Sequence, residues 1–476
     1  MYPKRTYLHA GIALLLELVI AFGLHPANGL TALGVRVLAV TVPTLYLWLT
    51  VNTSWCALLF LGLLILTGAM TPTEVWAGSM GHFAVITMIV FSILNYALKE
   101  TGVIDQAASW FVSRKIARGR PLVFLGLFFL SNLVIGMFVD NLSLAVIYVG
   151  LAAALAEKIG VKRGDPFYAC MFIGILWCNV VISIASPIAH APVLILIGMI
   201  EAQLGISVSY AQWLSVGIPF AAVMFLAMMA AVVVWRPDAR AFLDFDPGSL
   251  KPEPLSRKGV ITAVIFVLTV IAILLPEVGK VFWPEQFAFW SQIGVVVPAI
   301  LAVCALCLIH VDGRPVLDFR TACQTLPLPA IIFAGVVCVM STPFSSEATG
   351  ISVWMSNLFQ PAVRGLSPFV TLALLAAAAL FMTNFLSNVV TMVLFFNIGL
   401  ALLSGSSLHM GAFAAVIGVA ASMACLTPSA CAPAPLIFGP EHVTVRGVLK
   451  ANLVFIALSF AACLVVVYPL AAVVFG

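Results

Sequence analysis

Gly136-Met137-Phe138-Val139-Asp140-Asn141-Leu142-Ser143 sets an aspartate and an asparagine in the middle of an apolar run from about Leu122 to Leu155. An ionisable side chain at membrane depth costs several kcal/mol, roughly 2.5–3.5 on insertion scales, so it is a functional candidate by default. A related stretch lies far downstream, Thr383-Asn384-Phe385-Leu386-Ser387-Asn388-Val389-Val390-Thr391. The two segments read as paired tips of one binding site.

Composition sets the frame around them. Of 476 residues, 63% are hydrophobic and 8% charged, with mean hydropathy +1.17. A soluble domain is nearer a quarter charged, so a soluble reading is excluded. The apolar runs are too long and continuous for alternating barrel strands, which leaves an all-α polytopic membrane protein. The net charge of +4 is no sign of nucleic-acid binding, because the basic residues sit in loops. The ten cysteines lie mostly inside apolar runs without paired metal spacing, as small buried hydrophobes do. Met1-Tyr2-Pro3-Lys4-Arg5 precedes an apolar segment without a small-residue cleavage site, so a retained first span is expected.

Outward from the first tip, runs of spanning length lie near 8–24, 35–51, 54–70 and 82–98. A basic connector, Lys99 to Arg120, leads into a hairpin at 121–156, with two shorter apolar arms at 121–138 and 143–156. Basic residues flank both its ends, so it reads as re-entrant. The next span, 167–204, is interrupted by Ser186-Pro187-Ile188-Ala189-His190-Ala191-Pro192. Two prolines within six residues should unwind a helix there. Backbone freed at membrane depth is tolerable only where it lines a cavity or binds something. A span at 212–235 closes an N-terminal half, 1–235, and a polar linker at 236–258 divides the chain. The second half, 259–476, carries spans near 259–276, 287–309 and 326–342, then a connector at 343–366. A hairpin at 367–403, a broken span at 410–438 around Thr427-Pro428 and Ala432-Pro433, and a last span at 451–474 follow.

The halves share landmarks in register. Thr101-Gly102 and Thr349-Gly350 are 248 residues apart, Asn141 and Asn388 are 247 apart, and Ser186-Pro187 and Thr427-Pro428 are 241 apart. Three such matches on equivalent elements signal a duplication. Five spans separate the hairpins, and an odd number makes the repeats inverted. With the N-terminus cytoplasmic, 19 of the 22 Lys and Arg residues fall inside, and only Arg36, Lys280 and Arg364 outside. The expected topology puts the C-terminus outside, in a cell inner (plasma) membrane.

Inverted repeats with paired hairpins and broken helices place a site at the midplane. Half-helix N-termini there can face an anion, and unwound carbonyls can coordinate a cation. That arrangement predicts a secondary transporter. No phosphate cradle such as GxxxxGK[ST] is visible, which favours coupling to an ion gradient over ATP hydrolysis. Neither a nucleophile–base pairing nor a soluble domain accompanies the site, so neither an enzyme nor a receptor is expected.

The asparagine tips, the Pro-interrupted span after each, and Val208-Ser209-Tyr210-Ala211-Gln212-Trp213 leading to Pro219 resemble the divalent anion:sodium symporter family. That family belongs to the ion transporter superfamily, which also holds arsenite permeases and NhaD-type sodium/proton antiporters. The resemblance covers nearly the whole chain. It implies about eleven transmembrane helices plus two re-entrant hairpins, a homodimer, and elevator-type movement. It also implies sodium as the coupling ion, with no other cofactor, and a small organic anion such as a di- or tricarboxylate as substrate. By position it implies a cation site of Gly136, Asp140, Asn141, Ala189, Thr383, Leu386, Asn388 and Ala430. The implied substrate site comprises Asn141, Asn388, His190, Pro192, Cys431 and Pro433. The chain departs from the family pattern at Asp140, where the family has serine, and at Leu142 and Val389, where it has threonine.

Several readings stay open at this stage. Asp140 is a pin for the facing loop, a cation ligand, or a proton carrier. The last of these belongs to a sodium/proton antiporter or inorganic-ion permease of the same superfamily. His190 is a packed, hydrogen-bonded side chain or a substrate donor, and Cys431 is filler or ligand. Asn141 and Asn388 each offer one acceptor and two donors, so each can bridge a cation and an anion.

Overall fold

The computed structural model describes residues 4–475 apart from 52–53, 188–189, 250–253, 341, 429 and 439–442. Among these residues the regular secondary structure is helical except for a two-residue strand pair, His310–Val311 with Arg314–Pro315, and one isolated bridge. Eight helices are long and apolar enough to cross a bilayer. Shorter apolar helices make up most hairpin arms and, apart from Pro166–Ala185, the main pieces of the broken spans. The all-α polytopic expectation holds.

The first hairpin consists of Pro121–Gly136 and Asn141–Ile159, the second of Pro368–Met382 and Asn388–Leu403. A 16-residue arm such as Pro121–Gly136 rises about 24 Å, short of the roughly 30 Å hydrocarbon core. The arms reverse at the tip, and Tyr148 Oη donates to Ser131 Oγ at 2.8 Å across them. The first broken span is Pro166–Ala185 followed by Ala191–Leu204, parted where the prolines were expected to unwind it. Pro166–Ala185 is 94% buried and packs on both arms of the first hairpin, on Tyr210–Trp235 and on Met410–Ser422. By contrast Arg5–Gly23 is only 6% buried and lies at the periphery.

Three elements differ from expectation. The span near 287–309 is two helices, Pro284–Ile293 and Val296–Leu308, separated at Gly294 with φ +71°. The last span begins earlier, at Val445, and widens to a π-helical turn over Cys463–Val467. Pro469 follows that turn, and a proline ring clashes with the carbonyl four residues back, so the wider turn makes room for it. In the second broken span, Met410–Ser422 is followed by a long unwound stretch and a single helical turn, Ala434–Ile437.

The duplication read from the sequence has counterparts in the backbone. The connector helices Val103–Val112 and Ile351–Val363 both start from a left-handed glycine, Gly102 at φ +75° and Gly350 at φ +64°. The residue before each glycine receives a helix start from the other half. Thr31 caps Ala32–Thr50 by accepting from the Gly34 amide at 3.1 Å, and Gly34 seats against the Thr349 carbonyl. Ser256 caps Arg257–Phe282 by accepting from the Gly259 amide at 3.1 Å, and Gly259 seats against the Thr101 carbonyl. A Cβ on Gly259 would stand 2.9 Å from that oxygen, closer than real Cβ atoms come. Each half thus docks a capped helix start on the connector of the other.

Candidate functional site

Each hairpin tip is tied to the unwound turn of its own broken span by the same bond. Ser186 Oγ donates to the Met137 carbonyl at 2.5 Å, and Thr427 Oγ1 donates to the Asn384 carbonyl at 2.5 Å. Met137 and Asn384 are 247 residues apart, the spacing of Asn141 and Asn388. Beyond these bonds the tips diverge.

At the first tip, His190 is buried and its Nε2 lies 2.7 Å from the Gly136 carbonyl. With that nitrogen protonated the ring donates there, which occupies one lone pair of the Gly136 oxygen expected to face a cation. Asp140 is the N-cap of Asn141–Ile159 and its Oδ1 accepts from the Ser143 amide at 3.0 Å. The cap stabilises the helix start by about 0.5–2 kcal/mol relative to alanine. Asp140 therefore has a local structural task, while its charge stays unpaired by any basic group among the described residues. Asn141 Oδ1 is buried and has no hydrogen-bond partner among the described residues. A buried amide oxygen left so costs about 1–3 kcal/mol. Pro192 sits in the first turn of Ala191–Leu204, half-buried, and Ala189 lies outside the described residues.

The second tip gathers oxygens. Thr383 Oγ1 lies 2.9 Å from Asn388 Oδ1 and in close contact with the Ala421 carbonyl, while Asn388 Nδ2 is 3.5 Å from the Ser422 carbonyl. Ala421 and Ser422 are the last residues of Met410–Ser422, where helix carbonyls lack intrahelical donors and carry the negative end of the dipole. A hydroxyl has one proton, so Thr383 cannot donate to both neighbouring oxygens. Three acceptor oxygens, Asn388 Oδ1 and the Ala421 and Ser422 carbonyls, converge with the Thr383 hydroxyl, the oxygen-rich surroundings that a hard cation takes. Of the other residues expected here, Leu386 and Cys431 are half-buried, and Ala430 is buried with its amide 3.1 Å from the Thr427 carbonyl. Pro433 is buried at the start of the single turn Ala434–Ile437. One turn has no developed dipole, so of the two broken spans only the first, among the described residues, resumes as a helix of several turns at its break. No hydrogen bond joins Asn141 to Asn388 among the described residues. The halves meet instead through the elements behind the tips, Asn141–Ile159 on Ala434–Ile437 and Asn388–Leu403 on Ala191–Leu204.

Sequence reasoning passed over the residues that hold the second unwound stretch. Asn384 is fully buried, and its Oδ1 accepts from the amides of Cys425 at 2.9 Å and Leu426 at 2.8 Å, while Nδ2 donates to the Leu380 carbonyl at 2.8 Å. From the other side Asn452 Nδ2 donates to the Cys425 carbonyl at 2.8 Å, and Trp177 Nε1 donates to Asn452 Oδ1 at 2.8 Å. The signal for Asn452 was available, as a lone amide near the start of the last apolar span.

A family model described as citrate transporter (CitMHS) matches residues 37–428. The sodium-dependent dicarboxylate transporter SdcS of Staphylococcus saprophyticus is 22% identical over 479 residues, covering 96% of this chain and 90% of that protein. SdcS of Staphylococcus aureus strain USA300 is 23% identical over 483 residues, covering 97% and 90%. The expected kinship with the divalent anion:sodium symporters agrees with both findings.

Proposed function

Since the chain belongs to the citrate transporter family, we propose that it is a sodium-coupled secondary transporter of a di- or tricarboxylate. The observation that carries this reading is the oxygen cluster of Thr383, Asn388 and the Ala421 and Ser422 carbonyls, in which one hydroxyl proton faces two acceptors. The relatives' printed name, sodium-dependent dicarboxylate transporter, supports sodium and carboxylate alike. Sodium binds first at this tip and at the Asp140-Asn141 tip, and replaces hydrogen bonds that the cluster cannot complete. The anion then bridges Asn141 and Asn388, within reach of the N-terminus of Ala191–Leu204. The hairpins and broken spans cross the bilayer as a rigid unit, in an elevator motion, within a homodimer whose N-terminus is cytoplasmic and C-terminus outside. Proteoliposomes test it. An inward sodium gradient should drive uptake of labelled succinate or citrate, and folded protein that takes up no carboxylate under that gradient counts decisively against it.

A second reading has its own observation, the Asp140 carboxylate, which has no ion pair among the described residues. In a sodium/proton antiporter it would exchange the two cations. A pH-sensitive dye inside the same vesicles separates the readings, because only the antiporter moves protons on a sodium pulse without any anion.

A further inference from the structure

We propose that the turn joining the second connector helix to the second hairpin binds the headgroup of an anionic phospholipid. A cavity of about 530 Å³ opens there, between the end of Ile351–Val363, the start of Pro368–Met382 and the end of Asn388–Leu403. Arg364 lines it, and among the described residues its guanidinium has no ion pair or hydrogen bond. Gln360 and Ser406 add polar donors to the same wall. An arginine and two neutral donors around one concavity recognise a compact anion with several acceptor oxygens, which a phosphate group supplies.

The surroundings choose the source of that phosphate. Leu402 and Leu403 line the apolar part of the cavity. On the rim, Leu366, Phe369 and Val370 are each 42–43% exposed, and Leu358 on the connector is 56% exposed. In a chain that spans a bilayer, such side chains meet acyl chains. The site therefore pairs a polar pocket for a headgroup with an apolar border for its tails, an amphiphile's shape rather than that of a free anion. An exposed guanidinium–phosphate pair adds up to about fivefold in affinity. A lipid held there contacts both the connector and the hairpin, whose junction is the turn Arg364 to Ser367.

The test is lipid retention by the full-length protein in native mass spectrometry, titrated with phosphatidylglycerol and separately with phosphatidylcholine. The expected result is one preferentially retained phosphatidylglycerol. Arg364→Gln should weaken it about fivefold and Arg364→Lys should keep most of it. Gln360→Leu, which leaves the charge intact, should give a smaller loss. Equal retention by wild type and Arg364→Gln overturns the proposal, as does equal retention of phosphatidylcholine. Displacement by equimolar soluble glycerol 1-phosphate overturns the lipid source in favour of a free phosphate ligand. Arg364 is exposed, so its variants should unfold at the wild-type temperature.

Discussion

At the scale of single residues the two tips divide their work. Thr383 holds one proton between two acceptors, and under the proposed function its hydroxyl oxygen ligates sodium. Thr383→Val should raise the half-saturating sodium concentration by roughly 5- to 100-fold, the equivalent of about 1–3 kcal/mol, while Thr383→Ser stays near wild type. Sodium titration of carboxylate uptake, or of thermal stability, measures it, and unchanged sodium dependence in a folded Val variant would sink the assignment. His190 offers a second test. Its ring bonds the buried Gly136 carbonyl, so His190→Leu strands that oxygen and should lower stability by about 1–3 kcal/mol, whereas His190→Gln retains a donor. Of these features the asparagines were legible, because Asn141 and Asn388 recur at one spacing. Asn384 was not, because its repeat partner is Met137, and comparing the tips directs attention to what they share.

At the scale of elements, prolines pointed to the broken spans and polar tips to the hairpins, but neither shows how they are pinned. The unwound stretch after Met410–Ser422 exposes amides that no helix satisfies, and Asn384 takes two of them. Asn384→Leu keeps the size of the side chain while stranding both, so it should cost about 2–6 kcal/mol and abolish sodium-dependent stabilisation. A thermal-shift series with and without sodium reads both effects. If sodium still stabilises that variant normally, the stretch is held by something else. The break at Gly294 and the π-helical turn before Pro469 were invisible for a different reason. A hydrophobic run specifies that a segment is buried in lipid or protein, not whether its backbone stays in one α-helix. The reciprocal docking of Gly34 on Thr349 and Gly259 on Thr101 was equally hidden, since close approach of a glycine leaves no periodic mark. Gly34→Val should therefore impair folding severely, and detergent size-exclusion chromatography would show loss of the monodisperse peak.

At the scale of the whole molecule, the repeats share left-handed glycines, hydroxyl-to-tip bonds and reciprocal docking, and these support descent from one duplicated unit. Whether the units are inverted is a matter of sidedness, which internal contacts leave free and charge bias addresses. Each positive residue near a span end favours the cytoplasmic side, and 19 of 22 fall on one side in the inverted arrangement. Turning either half over would move its basic loops outward and lose that bias, so the inverted topology has a definite cost of violation. Single cysteines in an otherwise cysteine-free chain make it measurable with a membrane-impermeant maleimide on intact cells. Arg36→Cys and Arg364→Cys should label from outside. Lys158→Cys and Lys450→Cys should label only after the membrane is opened, although all four positions are exposed on the protein. Lys158 ends the first hairpin and Arg364 precedes the second, so this pair decides the point. If both label from the same face, the hairpins open to one side, and alternating access through opposed tips is excluded for this chain.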